Sequence, residues 1–108
     1  MNESDFNAAA DLALAALARA LEASGAQCDC EFRGDGVLEI EFEDRGRIIV
    51  NRHSAAKEIW VAARSGGFHF RPSGGQWVNT RDGTEFFAAL SRLISENGGG
   101  AVVLRPDY

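Results

Sequence analysis

The chain has 108 residues, enough to bury a hydrophobic core but too few for two ordinary domains, so we expect one domain over residues 1–108. Its composition, 45% hydrophobic and 25% charged, is typical of a globular protein, and no segment has the ~18 consecutive apolar residues of a membrane span. The net charge of −5 is uneven, because residues 1–44 hold 11 acidic and two basic residues, whereas residues 45–108 hold nine basic and five acidic ones. The acidic first part argues against nucleic acid as a partner and favours cations or a basic protein surface, unless it is only a solvated face.

An alanine- and leucine-rich segment predicts a first helix from about residue 4 to residue 23. Apolar residues recur there at steps of three and four, at Phe6, Ala10, Leu14, Leu17 and Leu21. Ser4 is the expected N-cap, and Gly25 is expected to end the helix. Because Glu3 and Asp5 stand where a secretory signal would carry basic residues, we expect a cytoplasmic protein.

A short alternating segment, Cys28 to Phe32, predicts the first strand. Its two cysteines are two residues apart and therefore share one side of the strand, where disulfide geometry between them is poor. With only His53 and His69 as further candidates, a structural zinc site would have too few ligands. We expect both cysteines to be reduced and half-buried.

The next segment, VLEIEFEDRGRIIVNR at residues 37–52, predicts a hairpin around which the remaining chain is organised. Three apolar residues alternate with three glutamates, in the order Leu38, Glu39, Ile40, Glu41, Phe42 and Glu43. The turn at residues 44–46 is expected to place Gly46 at a positive φ, and the β-branched residues from Arg47 onward form the return strand.

Three more strands are predicted at residues 58–62, 68–70 and 76–78, separated by short turns rich in glycine. Six strands joined in this way predict a sequential antiparallel sheet. If Ile59 faces the core, then Trp60 and His69 lie on the solvent side of the sheet. Trp77, in contrast, is expected in the core.

A second helix is predicted at residues 84–97, with Asp82 and Glu85 resembling a capping box. The glycines at 98–100 stop this helix, and the apolar tail at 101–106 is expected to dock against the core. The fold class is therefore α+β, with two helices packed on one face of an antiparallel sheet and the other face open.

Carboxylates are the main chemical feature of the sequence. Acidic side chains on the first helix and the first strand could offer oxygen ligands to hard cations or iron, but without histidine such a site is weak and rich in water. Alternation alone accounts for the glutamates of the second strand. No nucleophile paired with a base and no phosphate-binding loop is present, so we expect no enzymatic activity.

Longer strings in the sequence resemble the frataxin family in its bacterial form. They are CDCEFRGDGVLEIEFEDRG at 28–46, IIVNRHSAAKEIWVAARSGGFHF at 48–70 and QWVNTRDGTEFFAALSRLI at 76–94. The resemblance implies the same fold, weak peripheral binding of iron (Fe2+ or Fe3+) and regulation of iron–sulfur cluster assembly. It also implies contact with the cysteine desulfurase and the iron–sulfur scaffold protein, and a monomer that iron could drive into oligomers.

The resemblance also implies two sets of site residues. The metal ligands fall on Glu3, Asp5, Asp11, Glu22, Asp29 and Glu31. The partner-binding surface falls on Asn51, Arg52, Trp60 and His69. Ala18 and Arg19 stand where the family often has adjacent acids, so we expect Arg19 to weaken metal binding. The alternatives are an adaptor that acts without metal, or a weak ferroxidase and iron store.

Overall fold

A computed structural model describes residues 1–108 as two helices and six strands. In chain order the elements are α1 (Glu3–Ser24), β1 (Cys28–Phe32), β2 (Val37–Phe42), β3 (Arg47–His53), β4 (Glu58–Ala63), β5 (Gly66–Ser73), β6 (Gln76–Asn79) and α2 (Phe86–Glu96). The strands form one sheet in the order β1-β2-β3-β4-β5-β6, with every neighbouring pair antiparallel. The predicted fold class is confirmed.

One face of the sheet carries the core. One row of side chains runs in register across β2 to β5 and consists of Leu38, Val50, Val61 and Phe68. Side chains on this face of the sheet pack against the two helices. The buried cluster of 23 hydrophobic residues draws on both helices, five strands and the tail. Trp77 belongs to this cluster, as predicted, with its ring edge-to-face against Phe6.

The first helix begins two residues earlier than the N-cap prediction. Asn2 is the N-cap, and its side-chain oxygen accepts a hydrogen bond of 2.7 Å from the N–H of Asp5. Ser4, which is also a good capping residue, lies inside the first turn, so its assignment as the cap was wrong. Gly25 ends the helix at φ 70°, as expected.

The turn between β2 and β3 uses its glycine differently from the prediction. Arg45, at φ 71°, takes the left-handed conformation, and Gly46 does not. A Cβ on Gly46 would lie 2.5 Å from Arg64 Nη2 and 2.9 Å from Asp44 Oδ1. An ion pair between Asp44 and Arg64, 3.1 Å long, passes over the backbone here, so a side chain at residue 46 would have to displace it.

The second helix begins later than predicted. Glu85 is its N-cap and accepts hydrogen bonds from the N–H groups of Phe87 (2.8 Å) and Ala88 (3.1 Å). Asp82 instead accepts the N–H of Thr84 at 2.9 Å within the preceding turn. The capping box was therefore wrong, because a bridge to β6 keeps the chain extended as far as Glu85.

The tail docks on the core, as expected. Leu104 is 3% exposed, and its N–H donates to Ser91 Oγ on α2 at 2.8 Å. Just before the tail, the carbonyl of Gly99 accepts the N–H of Gln27 at 2.9 Å. Neither helix combines the length and the apolar character that crossing a membrane requires.

Candidate metal and partner surfaces

The open face of the sheet carries an aromatic stack centred on Trp60. Asn51, Trp60 and His69 lie in register on β3, β4 and β5, on the side away from the helices. The indole is stacked between the imidazoles of His53, at 3.7 Å and 15°, and His69, at 4.6 Å and 12°. Its Nε1 donates to Glu58 Oε1 at 2.9 Å, so the ring is fixed in orientation.

Trp60 is therefore on the open face, as its parity predicted, but it is half-buried rather than freely exposed. Sequence reasoning missed the roles of His53 and Glu58, because the predicted hairpin ended at residue 52 and left His53 outside the strand. The available signal was spacing, since His53 lies two residues after Asn51 and so shares its side of β3.

Arg52 does not belong to this face. It follows Asn51 directly on β3, and consecutive side chains of a strand point to opposite faces, so placing it on the sheet-face surface was wrong. Its side chain is 18% exposed, and Nη1 lies 2.9 Å from Asp11 Oδ2 on α1. It also crosses Gly36 so closely that any Cβ there would collide with it.

The six predicted metal ligands occupy separate places along α1 and β1. Glu3 and Asp5 lie exposed in the first turn of α1, where the helix dipole favours negative charge. Asp11 is paired with Arg52, and Glu31 lies 3.4 Å from Arg33. No three side chains of His, Cys, Asp or Glu converge closely enough to hold a metal ion.

Glu22 and Asp29, the remaining two, come together where the end of α1 meets the start of β1, the first strand of the sheet. They line a cavity of about 320 Å³ with four other residues, Leu21, Ala26, Cys28 and Cys30. Neither carboxylate has an ion-pair partner within 4.0 Å, and the last turn of α1 contains no basic residue. These two carboxylates therefore keep an uncompensated negative charge at the end of α1 and the start of β1.

Beside it, acidic residues of β1 and β2 face each other across the ladder. Asp29 lies opposite Glu41, and Glu31 lies opposite Glu39. Like charges in this position repel. Two arginines offset the repulsion: Arg33 Nη2 and Nε lie 3.4 Å from Glu31 and Glu39, and Arg47 Nε lies 3.6 Å from Glu39 and Glu41. Of these four carboxylates, only Asp29 is left without an arginine.

Both cysteines are free and half-buried, as predicted. Burial raises the pKa of the Cys28 thiol, and the nearby Cys30 and Asp29 add to the effect. Burial also raises the pKa of the Cys30 thiol, followed by the charges of Glu22 and Asp29. The thiols are therefore protonated at neutral pH in the metal-free protein.

Arg19 pairs with the tail and with none of the six predicted metal ligands. It forms a two-point ion pair with Asp107, from Nε to Oδ2 at 2.7 Å and from Nη2 to Oδ1 at 2.8 Å. This hydrogen bonding raises the pKa of Arg19 and lowers the pKa of Asp107. Its charge is offset by the tail rather than by the edge.

Both helices lie on one face of the sheet and the opposite face is open, which defines a small α+β domain. Its residues 1–100 match the family model described as a frataxin-like domain. The chain is 59% identical over 105 residues to the iron–sulfur cluster assembly protein CyaY of Dechloromonas aromatica (strain RCB), covering 97% of this chain and 100% of that protein. It is 51% identical over 109 residues to CyaY of Herminiimonas arsenicoxydans, covering 97% of each.

Solved structures agree with the sequence match. The frataxin of Psychromonas ingrahamii superposes with a TM-score of 0.84 at 32% identity, over 90% of this chain and 91% of that one. The trimeric frataxin of the yeast Saccharomyces cerevisiae, complexed with ferrous iron, superposes with a TM-score of 0.71 at 28% identity, over 83% and 85% of the two chains. The chain therefore belongs to the frataxin-like family.

Proposed function

We propose that this protein is a non-enzymatic, iron-binding regulator of iron–sulfur cluster assembly that docks on a cysteine desulfurase. The docking surface is its acidic edge, which we define as Asp11, Glu22, Asp29 and Glu31 on α1 and β1. The names of its relatives support the process. The observation that carries the docking surface is the uncompensated pair of carboxylates, Glu22 and Asp29, at one open cavity.

Electrostatic attraction is the proposed basis of docking. A negative edge meeting a basic patch accelerates association and fixes orientation, and the rate falls as salt is added. The carboxylates already paired with arginine, such as Glu39, contribute less to this field because their charge is offset locally. Glu22 and Asp29 then dominate the encounter.

Iron binding is proposed at the same edge. Carboxylate oxygens suit Fe(II) and Fe(III), but ligands that do not converge leave most coordination positions to water. Binding is therefore weak and peripheral, with Glu22 and Asp29 as its centre. The ferrous complex of yeast frataxin supports an association with iron within the family.

The open face is proposed as the second contact surface, for the scaffold protein. Asn51, Trp60 and His69 lie in one row, and aromatic side chains of this kind are common hot spots in interfaces. Since both imidazoles and Glu58 already hold the indole, little side-chain freedom is lost on binding. Arg52 has no part in this surface.

The test of docking compares two single charge reversals of equal size. Asp29→Lys alters the acidic edge, whereas Glu96→Lys alters an exposed carboxylate of α2 that has no ion pair. The effect on desulfurase-driven cluster assembly should be lost at low salt in the first variant and kept in the second. Equal kinetics for Asp29→Lys and the unmodified protein would overturn the docking surface.

The test of iron binding is an anaerobic titration with Fe(II), followed by proton–nitrogen NMR and repeated with the desulfurase. Shifts at Glu22 and Asp29 in both titrations place metal and partner on one surface. Shifts only with the desulfurase would favour the adaptor without metal, which the lack of convergent ligands also favours. Oxygen consumption above that of the buffer would instead favour a ferroxidase.

A further inference from the structure

The outer side of β1 is an open edge of the sheet, and it lies beside the carboxylates of the acidic edge. We propose that it accepts an extended segment of the cysteine desulfurase as an added antiparallel strand, in which basic residues alternate with apolar ones. This arrangement rests on the proposed docking function and adds to it the form of the partner's segment. Charge attracts the segment, and backbone hydrogen bonds then hold it.

The two edge strands of the sheet differ in what lies along their outer sides. The chain after β6 folds back along it, so that Val78 bridges to Glu85 and the N–H of Asn79 donates to Thr84 O at 2.8 Å. No segment of the chain folds back in this way along β1, whose only neighbouring strand is β2. A free strand edge is a template for pairing with another chain. The sheet can therefore be extended at β1.

The ladder between β1 and β2 determines which backbone groups of β1 are free. Arg33 donates its N–H to Val37 O at 2.9 Å, so residues 31 and 29, at steps of two, also direct their backbone groups toward β2. Cys30 and Phe32 therefore direct theirs to the outer side, and neither makes a backbone hydrogen bond outside the ladder. With the carbonyl of Cys28, they present a row of donors and acceptors to an added strand.

The helix side of β1 favours apolar residues in the added strand. Cys28 and Cys30 pack against the core and line, with Leu21 and Ala26, the cavity of about 320 Å³ at the end of α1. Phe32 lies on the same side at the other end of β1 and is 48% exposed. Every second side chain of an added strand would cover these apolar surfaces and bury part of the Phe32 ring.

The open-face side of β1 favours basic residues at the positions between them. Asp29 has no ion-pair partner, and Glu31 has only Arg33, at 3.4 Å. Basic side chains of an added strand would lie opposite these two carboxylates, where cross-strand pairs of opposite charge are stabilising. Glu22, which lines the cavity, adds further negative charge. The pattern that fits is an alternation of basic and apolar residues along the five residues of β1.

Charge also decides against a second copy of this chain as the occupant. Two β1 strands paired antiparallel would bring Asp29 and Glu31 of both copies together on one face, where like charges repel. Charged side chains on a short edge strand are a common means of preventing such self-association. The same charges do not oppose a basic segment, so they select the partner.

The first experiment titrates the full-length protein with a synthetic seven-residue peptide of alternating lysine and valine, blocked at both ends. Opposite residues of an antiparallel pair share a face, so the valines would lie opposite Cys30 and Phe32 and exchange hydrogen bonds with them. N-methylation of the valines should weaken binding at least about tenfold, because backbone hydrogen bonds are lost and the methyl groups keep the strands apart.

The matched control is the same peptide N-methylated on its lysines instead. Their N–H groups would face away from β1, so the affinity should change by less than about twofold. Both peptides carry the same charge and the same side chains, and only the position of the methyl groups differs. Equal affinities of the two methylated peptides would show that charge alone binds them and would overturn the added strand.

The second experiment changes the protein at one outward N–H group. Cys30→Pro removes this donor but leaves the ladder to β2 intact, since proline fits an edge strand where its nitrogen faces solvent. This variant should bind the unmethylated peptide at least about fivefold more weakly than Cys30→Val, which keeps the N–H. Equal affinities of these two variants would overturn the proposal.

A third measurement uses the unmodified protein, in case Cys30→Pro does not fold. Amide hydrogen exchange, followed by proton–nitrogen NMR, should be fast at Cys30 and Phe32 and slower at Asp29 and Glu31 in the free protein. A saturating amount of peptide should slow exchange at Cys30 and Phe32 at least about tenfold. Unchanged exchange at both residues would overturn the proposal.

The assay of desulfurase-driven assembly separates this inference from the docking function. Loss of the effect in both Asp29→Lys and Cys30→Pro, each compared with Cys30→Val, supports both. If Asp29→Lys loses the effect and Cys30→Pro keeps it, the charges dock the desulfurase without an added strand, and only this inference fails. If Cys30→Pro loses the effect and Asp29→Lys keeps it, the added strand stands and electrostatic docking fails alone.

Discussion

Arg19 on α1 and Asp107 near the C-terminus of the sequence are joined by two parallel hydrogen bonds, 2.7 and 2.8 Å long. This two-point geometry is the strongest arrangement available to an arginine and a carboxylate. It holds the tail across α1 after Leu104 has entered the core. It also directs the positive charge of Arg19 toward the tail, so the acidic edge keeps its field.

Asp107→Asn should release this pair and lower the melting temperature slightly, by an amount that high salt removes. The pKa of Asp107 is lowered in the folded state, chiefly by its hydrogen bonds with Arg19. The contribution of the ionised Asp107 to stability is therefore fully present above about pH 3.9, the ordinary pKa of an aspartate. It is lost as the pH falls through the lowered pKa of the folded protein. Thermal melts of both proteins should differ at neutral pH, and the difference should shrink as the pH is lowered below the ordinary aspartate pKa. A difference that does not change with pH would contradict the pair. Asp35→Asn, an exposed carboxylate without an ion pair, is the control.

Freeing Arg19 should also affect the acidic edge. In Asp107→Asn the guanidinium is no longer held by the tail, so its charge can approach the carboxylates of α1. We expect weaker Fe(II) binding in this variant, and restored binding in the Arg19→Gln/Asp107→Asn double variant. Calorimetric titrations of the three proteins give the comparison. Unchanged affinity in Asp107→Asn would mean that the tail does not protect the edge.

Asp11 carries both a proposed metal role and a structural one. Its carboxylate lies 2.9 Å from the largely covered guanidinium of Arg52. Asp11→Asn should cost about 0.5–1 kcal/mol of unfolding free energy, near the upper end for ion pairs with one exposed partner. A double-mutant cycle with Arg52→Gln, measured by urea unfolding, isolates the pair. Additive losses would show that the contact does not contribute.

The core face of the fold could be predicted because the sequence repeats the same signal. Leu38, Ile40 and Phe42 alternate with glutamates, and the helical stripes follow their own period, so burial follows from spacing alone. The N-caps were less predictable because several residues near the start of a helix can each cap it equally well. Asn2 is the N-cap and Ser4 is not, because the spacing of apolar residues does not determine the residue at which the helix begins.

The positions of the site residues were predictable only where the alternation of side chains along a strand determines which face they occupy. Trp60 and His69 were placed on the open face correctly, whereas Arg52 was grouped with them although it follows Asn51 directly. Contacts between segments far apart in the sequence could not be predicted. Arg19 and Asp107 are 88 residues apart, and nothing local in the sequence relates them.

Phe70 and Phe32 offer a matched test of where the core lies. Phe70 is fully buried, and its ring meets Phe86 edge-to-face at 5.2 Å. Phe70→Ala should lower the unfolding free energy by about 3–5 kcal/mol, through lost burial and the cavity left behind. Phe32 is 48% exposed at the sheet edge, so Phe32→Ala should cost far less. Both rings lie on the core side of the sheet, so similar losses in urea unfolding would contradict the position of Phe32 at the uncovered edge of that face.

A side chain at Gly99 should destabilise the fold. A Cβ there would lie 2.5 Å from Ile94 Cγ2, 3.0 Å from Ile94 O and 3.1 Å from Phe42 Cε1. Gly99→Ala should therefore cost about 1–3 kcal/mol, as other overpacking changes do. Gly67→Ala is the control, because its nearest neighbour would be Val61 O at 3.9 Å. Chemical unfolding of both variants decides the point, and equal stabilities would show that the chain after α2 shifts without cost.

The raised pKa values of Cys28 and Cys30 predict slow alkylation without metal. Because burial is the main cause, both thiols remain protonated at neutral pH and react more slowly than in the urea-unfolded chain. The reaction rate should rise with pH and level off only above the ordinary thiol pKa of about 8.5. Because the two thiol pKa values are raised by folding, their contribution to stability is fully present below the ordinary thiol pKa. It is lost as the pH rises through the raised pKa values of the folded protein. Cys30→Ser should remove part of this alkaline loss, which thermal melts between pH 7 and pH 10 would measure. Equal rates in the folded and unfolded protein at pH 7 would show that burial does not hold the thiols protonated.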